Sequence, residues 1–288
     1  MRLLVLGHLS IDVMHAADGS EQEEPGGIFR SVAALSSLCG RNDRIVPVAA
    51  VGTKEYAQVL ARFEALPGVE TGGLFRQSVP VHRIHYYFRD AEDYVECAKE
   101  LAPPIPFQRV RPHLDVDGIL INMVSGVDIG LETLDEIRMA VRNEGVPIHL
   151  DYHNLTTSVN DRHERVRRPL VEWRRWAFMV ETVQCNEEEI GGLTLEGLPE
   201  AATVGHMLTL GVKGVVVTRG ARGVTVYSSQ HKAVIREDLP APTGSEPRTN
   251  IGLGDIFGAA FWFHYRKTRD LIGSADQAVR YIATLNRA

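Results

Sequence analysis

Short apolar runs that end in glycine or polar residues recur along the chain and predict buried strands. The first run is Leu3 to Leu6, followed by Gly7, and its continuous apolar character is typical of a strand covered on both faces. Stretches with helical spacing alternate with such runs, which predicts a mostly parallel sheet with helices on both faces. Strands are expected at 3–6, 44–51, 118–122, 146–150, 214–218 and 223–227, and 173–182 is expected to contain a strand or the approach to one. Helices are expected at 28–40, 54–66, 131–143, 204–210, 256–265 and 275–285.

Two regions break this rhythm. Residues 13–25 are polar and acidic, and this composition predicts an exposed excursion. Residues 69–100 contain β-branched and aromatic residues between turn signals, which favours short antiparallel strands.

Composition excludes several classes of protein. The chain has 288 residues, 44% of them hydrophobic, enough for one large α/β core or two smaller domains. A net charge of −6 argues against general affinity for nucleic-acid phosphates. Three widely separated cysteines argue against a disulfide scaffold and a zinc-thiolate site, and favour the cytoplasm. No signal segment is expected, and no run reaches the ~18 apolar residues that span a bilayer.

The stretch Gly252-Leu253-Gly254-Asp255 opens an apolar helical run and carries the main candidate chemistry. Glycine adopts backbone angles closed to other residues and lets a ligand approach the main chain. Free N–H groups at a helix start, at the positive end of its dipole, form an anion site. Asp255 would lie beside that anion, where a carboxylate can take a proton from an attacking hydroxyl. The alternative is that Asp255 only caps the helix start.

Other polar residues follow predicted strands, at the end where open parallel sheets bind ligands. Asp12 comes after the first strand, and its carboxylate can accept bonds from two adjacent hydroxyls; a turn or cap role is the alternative. Asn186 is followed three residues later by Glu189, a pattern that also makes a favourable helix start.

Two glycine motifs predict tight turns near ligands. Gly26 and Gly27 precede the helix at 28–40. Thr218-x-Gly220-x-x-Gly223 follows a strand, so its N–H groups can face phosphates, although a single such motif also fits a plain hairpin turn.

In order and spacing, these motifs resemble the ribokinase/PfkB family of small-molecule kinases over almost the whole chain. The resemblance implies one ribokinase-like three-layer α/β/α sandwich over residues 1–288, with a small β lid formed by about 13–25 and 69–100. Such a lid excludes water from the reaction, and in the family it often serves as a dimer face, so a homodimer through the lid is a further expectation.

The resemblance also implies roles at the reaction centre. Asp255 would be the catalytic base, and Gly252, Leu253 and Gly254 the anion hole, with Leu253 in place of the usual alanine. Thr249 stands where the family usually has an Asp, which argues against a monovalent-cation site that depends on that carboxylate.

The remaining site residues are carried over in the same way. Asp12, Gly26, Gly27 and Ser31 would bind the acceptor, with Ser31 at the position of a family Asn. The nucleotide site would comprise Asn186, Thr218, Gly220, Gly223, Gly252 and Gly254. Asn186 and Glu189 would bind Mg²⁺ mainly through water, since Mg²⁺ prefers oxygen ligands and keeps much of its hydration.

The predicted function is therefore transfer of the ATP γ-phosphate to a hydroxyl of a sugar-like acceptor. A nucleoside kinase is an alternative, with Phe29 and Tyr86 available to stack on a base. A non-catalytic ligand-binding or regulatory protein is another, although it would not need a base at Asp255. The family commonly continues beyond the helix at 275–285 to build the adenine pocket, so the nucleotide preference stays open.

Charged side chains near these motifs have plainer interpretations. Arg30, Arg219 and Arg222 are each expected to be solvated. His149, Asp151 and His153 share one face of a strand, which makes a metal triad conceivable. The favoured interpretation places Asp151 in a loop near the phosphates, where the family commonly has Asp-x-Asn. No Walker loop, dinucleotide fingerprint or Gly-x-Ser-x-Gly elbow occurs.

Overall fold

The computed structural model describes residues 1–16, 18–88, 94–99, 101–231, 233–242 and 251–285. Thr249, which bears on the expected cation site, lies outside the described residues.

Within these ranges the chain forms fifteen strands and nine α-helices. The strands are β1 (Arg2–Leu6), β2 (Leu9–His15), β3 (Glu21–Gly27), β4 (Arg44–Gly52), β5 (Leu74–Gln77), β6 (His82–Phe88), β7 (Tyr94–Lys99), β8 (Gly118–Asn122), β9 (Ile148–Asp151), β10 (Thr157–Val159), β11 (Arg165–Arg167), β12 (Thr182–Asn186), β13 (Gly214–Thr218), β14 (Val224–Gln230) and β15 (Ala233–Leu239). The helices are α1 (Ile28–Leu38), α2 (Tyr56–Glu64), α3 (Phe107–Val110), α4 (Leu131–Val141), α5 (Trp173–Phe178), α6 (Glu187–Gly191), α7 (Glu200–Thr209), α8 (Leu253–Thr268) and α9 (Leu271–Leu285).

A nine-stranded sheet forms the centre of the molecule, in the order β15-β14-β13-β12-β9-β8-β1-β4-β5. Its strands are parallel except that β14 and β15 join antiparallel at one edge. Alternate residues of β1 enter two separate hydrophobic clusters: Leu4 and Leu6 pack with α4, α5 and α7, and Leu3 and Val5 pack with α1 and α8. The sheet therefore lies between two helical layers, and the predicted three-layer α/β/α sandwich is confirmed.

A second sheet of four strands has the order β3-β2-β6-β7. β2 and β6 are parallel, and the other two pairs are antiparallel. The exposure expected at 13–25 is confirmed for residues 16 and 18–23, and these residues connect or belong to β2 and β3, which pair with each other along their full length. Of the predicted strands at 69–100, β5 belongs instead to the large sheet, where it pairs with β4.

The segment 173–182, expected to contain a strand or the approach to one, is the approach to β12. It begins with helix α5, and β12 starts only at Thr182. Trp173, Trp176 and Ala177 are buried, and their i, i+3, i+4 spacing is helical. Across the described part of the chain, no helix combines the length and apolar character needed to cross a membrane.

Candidate active site

The turn before α8 places Asp255 beside the carboxyl end of β8, a central strand of the large sheet. Gly252 has a left-handed backbone (φ +76°) and precedes Leu253, the first helical residue. Asp255 lies in the first turn of α8 and is 5% exposed. The first amides of a helix have no partner within it, so the segment presents N–H groups beside a carboxylate.

The Asp255 carboxylate is held through one oxygen. Asn122, at the end of β8, donates from Nδ2 to Oδ1 at 2.7 Å. His153 Nδ1 lies 3.6 Å from the same oxygen. No described residue donates a hydrogen bond to Oδ2. The carboxylate is thus oriented through Oδ1, and Oδ2 keeps its capacity to accept a proton.

A cluster of charges surrounds this carboxylate. Ligand-type atoms of Asp151, His153 and Asp255 all lie within 4.8 Å of one another. Burial by itself would lower the pKa of His153, but the facing carboxylates of Asp255 and Asp151 outweigh it and raise that pKa to about 9. Burial raises the pKa of Asp151, opposed by His153. A protonated His153 therefore offsets the negative charge that collects here.

The conceivable metal triad at 149, 151 and 153 does not form. His149 is fully buried, with Nδ1 2.8 Å from Thr182 Oγ1 and its ring stacked on Trp262 at 5.5 Å. Burial lowers the pKa of His149 to about 3, so it is a neutral core residue.

Asp12 lies on β2 in the small sheet and is 3% exposed. It accepts a hydrogen bond from Ser10 Oγ at 2.8 Å. Gly26 packs directly on this carboxylate, since a Cβ at Gly26 would overlap it. Burial raises the pKa of Asp12 to about 6 against the opposing effect of Arg30, and Asp255 contributes in the same direction as burial. The two aspartates are therefore close enough to influence each other.

The expectation that Arg30 is solvated was wrong. Its side chain is 12% exposed, and Nη2 lies 2.7 Å from Asp12 Oδ2. The reason is that α1 starts directly after β3, so its first turn points Arg30 between the small sheet and α8. Arg219 was likewise expected in solvent, but it is 13% exposed and pairs with Glu187 at 2.6 Å.

The two residues on either side of Arg30 pack against other elements. Ser31 is fully buried, and its hydroxyl donates to the main-chain oxygen of Asp255 at 3.3 Å, which joins α1 to α8. Phe29 packs edge-on against Phe63, with ring centroids 5.2 Å apart. Core packing therefore accounts for Phe29.

The predicted nucleotide motifs lie at the start of α6 and at the end of β13. Asn186 and Glu189 form a reciprocal capping box at the start of α6, so the helix-start interpretation is confirmed. Burial raises the pKa of Glu189, opposed by His153. Thr218 ends β13, Gly220 and Gly223 follow it, and all three border the same cavity as Asn186 and Glu189.

This cavity has a volume of about 530 Å³. It extends from the tyrosines of β6 and β7 past the turn before α8 to the last turns of α9. Residues bordering it include Tyr86, Tyr94, Glu96, His153, Arg167, Gln184, Asn186, Glu189, Thr218, Gly220, Gly223, Gly252, Leu253, Gly254, Val279, Ile282 and Ala283.

The chain is similar in sequence to a known kinase. No protein-family model matches the chain. A cytidine kinase from Thermococcus kodakarensis is 26% identical over 281 residues, covering 93% of this chain and 90% of the relative.

Solved structures of kinases share the fold of this chain. A pyrophosphate-dependent kinase of the ribokinase family superposes with a TM-score of 0.79 at 16% identity, covering 100% of this chain and 95% of the other. A ribokinase from Arabidopsis thaliana, solved with ribose and ATP, superposes with a TM-score of 0.72 at 17% identity, covering 99% and 92%. The chain has the ribokinase-like fold. The predicted resemblance to the ribokinase/PfkB family is confirmed.

Three residues of the site were not predicted from the sequence. Asn122 ends a wholly apolar strand, and a polar residue at that position was an available signal. Gln184 donates from Nε2 to Asp151 Oδ2 at 2.9 Å and to Gly254 O at 3.0 Å, so it holds the first turn of α8. Arg167 borders the cavity from the hairpin β10–β11, and nothing in its local sequence indicated this.

Proposed function

We propose that the protein is a small-molecule kinase that transfers the ATP γ-phosphate to an alcohol group of a sugar or sugar-like acceptor. The observation that carries the proposal is the position of Asp255. It lies in the first turn of α8, it is held by Asn122 through one oxygen only, and it is within electrostatic reach of Asp12. One carboxylate thus lies beside a row of helix-start amides and within electrostatic reach of the carboxylate proposed to bind hydroxyls.

In the proposed reaction, Asp255 accepts the proton of the acceptor hydroxyl through Oδ2. The hydroxyl oxygen forms a bond to the γ-phosphorus, and the bond from that phosphorus to the bridging oxygen breaks. ADP leaves with the bonding electrons. The amides at 252–254 face the charge of the transferring group, and such preorganised donors supply most of the catalysis in phosphoryl transfer.

A nucleoside acceptor is the second candidate. Tyr86 and Tyr94 border the cavity as an edge-to-face pair, with centroids 5.3 Å apart. Glu96 borders the same region and can accept hydrogen bonds from an exocyclic amine. Together with the similarity to a cytidine kinase, this favours testing nucleosides beside sugars.

The donor end of the cavity supports ATP. Val279, Ile282 and Ala283 of α9 border it, and apolar surface of this kind suits an adenine ring. Pyrophosphate, the donor of one structural relative, has no base to cover these residues. ATP is therefore the proposed donor, and pyrophosphate is the comparison to include.

Asn186 and Glu189 are proposed to hold a magnesium ion, mainly through water. The donor set fits, because both side chains offer oxygen atoms, which Mg²⁺ prefers, and both border the cavity, where Glu189 is 7% exposed. When bound, the ion would neutralise phosphate charge. The small sheet is proposed as the lid, with its outer face as the homodimer surface.

A donor-and-acceptor screen tests the proposal. Sugars, myo-inositol and nucleosides are each incubated with Mg²⁺ and either ATP or pyrophosphate, and phosphorylated product is measured. Product with at least one acceptor in the wild type, formed at least about 10²-fold more slowly by Asp255→Asn, is the expected result. Tight acceptor binding without product under any condition would favour the non-catalytic alternative.

A further inference from the structure

Arg30 connects three segments that meet at the candidate active site. Its Nη2 lies 2.7 Å from Asp12 Oδ2 on β2. Its Nε donates to the carbonyl of Pro25 on β3 at 3.3 Å. Its Nη1 donates to the carbonyl of Ile251 at 2.7 Å, immediately before the turn that opens α8.

These segments belong to different parts of the molecule. β2 and β3 are adjacent strands of the small sheet, which carries the acceptor-side carboxylate. Ile251 precedes Gly252, and the residues after Gly252 form the start of α8. A guanidinium carries its donors in a rigid planar fork, so one side chain can fix two groups in a set geometry.

Gly252 makes this approach possible. A Cβ at position 252 would overlap the Arg30 guanidinium, so the absence of a side chain is required for the contact as well as for the positive φ. The charge surroundings are also specific. Apart from Asp12, only the half-exposed Glu24 lies near Nη2 among the described acidic groups, at 3.8 Å.

We propose that Arg30 is a positioning residue that couples the acceptor site on the small sheet to the anion-binding turn of α8. This inference rests on the proposed kinase function for its catalytic consequence. Arg30 holds the Asp12 carboxylate at the orientation that an acceptor hydroxyl meets, and the same side chain fixes the carbonyl that precedes the amides at 252–254. The position of the small sheet is thereby tied to that of the turn proposed to receive the phosphoryl group.

The role proposed for Arg30 explains why a nearly buried ion pair with Asp12 is present. A nearly buried ion pair gives little net stability, because desolvation of both charges offsets their attraction. Its use here is geometric, since it joins two elements whose relative position decides whether hydroxyl and phosphate are aligned. Lysine would keep the charge but would lack the fork, so Arg30→Lys separates geometry from charge.

The test compares Arg30→Lys with a matched change on the same sheet, Arg83→Lys. Arg83 pairs with Glu23 on the small sheet, and it neighbours Ile84, which lies opposite Asp12, so it points to the other face. The first measurement is amide hydrogen exchange of the 251–256 segment in the unliganded protein. Faster exchange in Arg30→Lys than in wild type, with no change in Arg83→Lys, is expected.

The second measurement is kinetic, with whichever of cytidine, D-ribose or myo-inositol the wild type phosphorylates. Arg30→Lys is expected to lower kcat/KM for the acceptor by ~10²-fold, the scale of a small misplacement of reacting groups. Both kcat and the acceptor KM should change while the donor KM stays constant. Arg30→Gln should have a larger effect.

The outcomes separate this inference from the proposed function. Wild-type protein that phosphorylates no acceptor contradicts the function, and the exchange measurement still decides whether Arg30 fixes the turn. An active wild type combined with unchanged exchange and unchanged kinetics in Arg30→Lys overturns the coupling. Equal effects of the Arg30 and Arg83 changes would show a general role in stability and would also overturn it.

Discussion

Asn122 donates a hydrogen bond from Nδ2 to Asp255 Oδ1 at 2.7 Å, joining the end of β8 to the first turn of α8. Asn122 is 1% exposed, and no other described residue hydrogen-bonds to that carboxylate oxygen from a side-chain amide. Because one oxygen is committed, the rotation of the carboxylate is fixed. The proposed base is therefore preorganised before any substrate arrives.

Replacing Asn122 with alanine should lower kcat by ~10²-fold while leaving the donor KM unchanged, since the base would lose its orientation and not its charge. The matched control is Thr182→Val, which removes the buried bond between Thr182 and His149 at the opposite end of the sheet. Each change should cost about 1 kcal/mol in the free energy of unfolding. Urea unfolding and steady-state kinetics check the pair, and equal turnover in both variants would contradict the role given to Asn122.

Asp255→Asn should reduce turnover by about 10²- to 10⁴-fold, the range that general-base catalysis contributes. The amide has nearly the same shape, so calorimetry should show ATP binding close to that of the wild type. Turnover that survives the substitution would remove Asp255 from the mechanism. Loss of ATP binding would give it a structural role.

The acceptor kcat/KM should rise with pH through about 6. Burial raises the pKa of Asp12 from its ordinary value of 3.8 to about 6 in the folded protein, although Arg30 opposes the change. Folding therefore favours protonated Asp12, and this contribution to stability is lost as pH rises from 3.8 to about 6. Hydroxyl binding needs the ionised form, which predominates above pH 6. A pH–rate profile checks this, and Asp12→Asn should lack the acidic limb that the wild type shows.

His153 should stabilise the fold in a pH-dependent way. Against the effect of burial, Asp255, Asp151, Glu189 and Glu96 raise its pKa from 6.5 to about 9. A raised histidine pKa gives stability that is fully present below pH 6.5 and is lost as pH rises through about 9. The wild type should therefore lose stability relative to His153→Asn across this window in urea unfolding. A constant difference from pH 6 to pH 10 would contradict the ion pairing.

Gly252→Ala should cost more than its backbone conformation alone explains. A non-glycine residue in the left-handed region costs about 1–2 kcal/mol, and the new Cβ would also displace Arg30. Gly145→Ala is the control, with a φ of +64° and nothing within 4 Å of an added Cβ. Thermal unfolding should show the larger loss at position 252, and equal losses would mean that the Arg30 contact adjusts freely.

Parts of the fold were predictable because the pattern of apolar residues that marks a strand lies within a few consecutive residues. The strands expected at 118–122 and 214–218 have the observed bounds of β8 and β13, since continuous apolar runs mark strands buried on both faces. Helix α5 was missed because a six-residue helix with two tryptophans gives nearly the same apolar signal as a strand approach. The charged strand β3 was implied only by the family resemblance, because its exposed acidic residues give no apolar alternation that would indicate its pairing with β2.

The sequence by itself determined the alternation of strands and helices and the positions of the glycine turns and carboxylates at strand ends, because apolar periodicity and backbone freedom act over a few residues. Only the tertiary structure decided that Asn122 holds Asp255 across 133 residues and that Arg30 reaches Ile251 across 221. Such contacts depend on how sheet and helices pack at one edge, and the direction of a side chain across that distance is set by packing and not by local spacing.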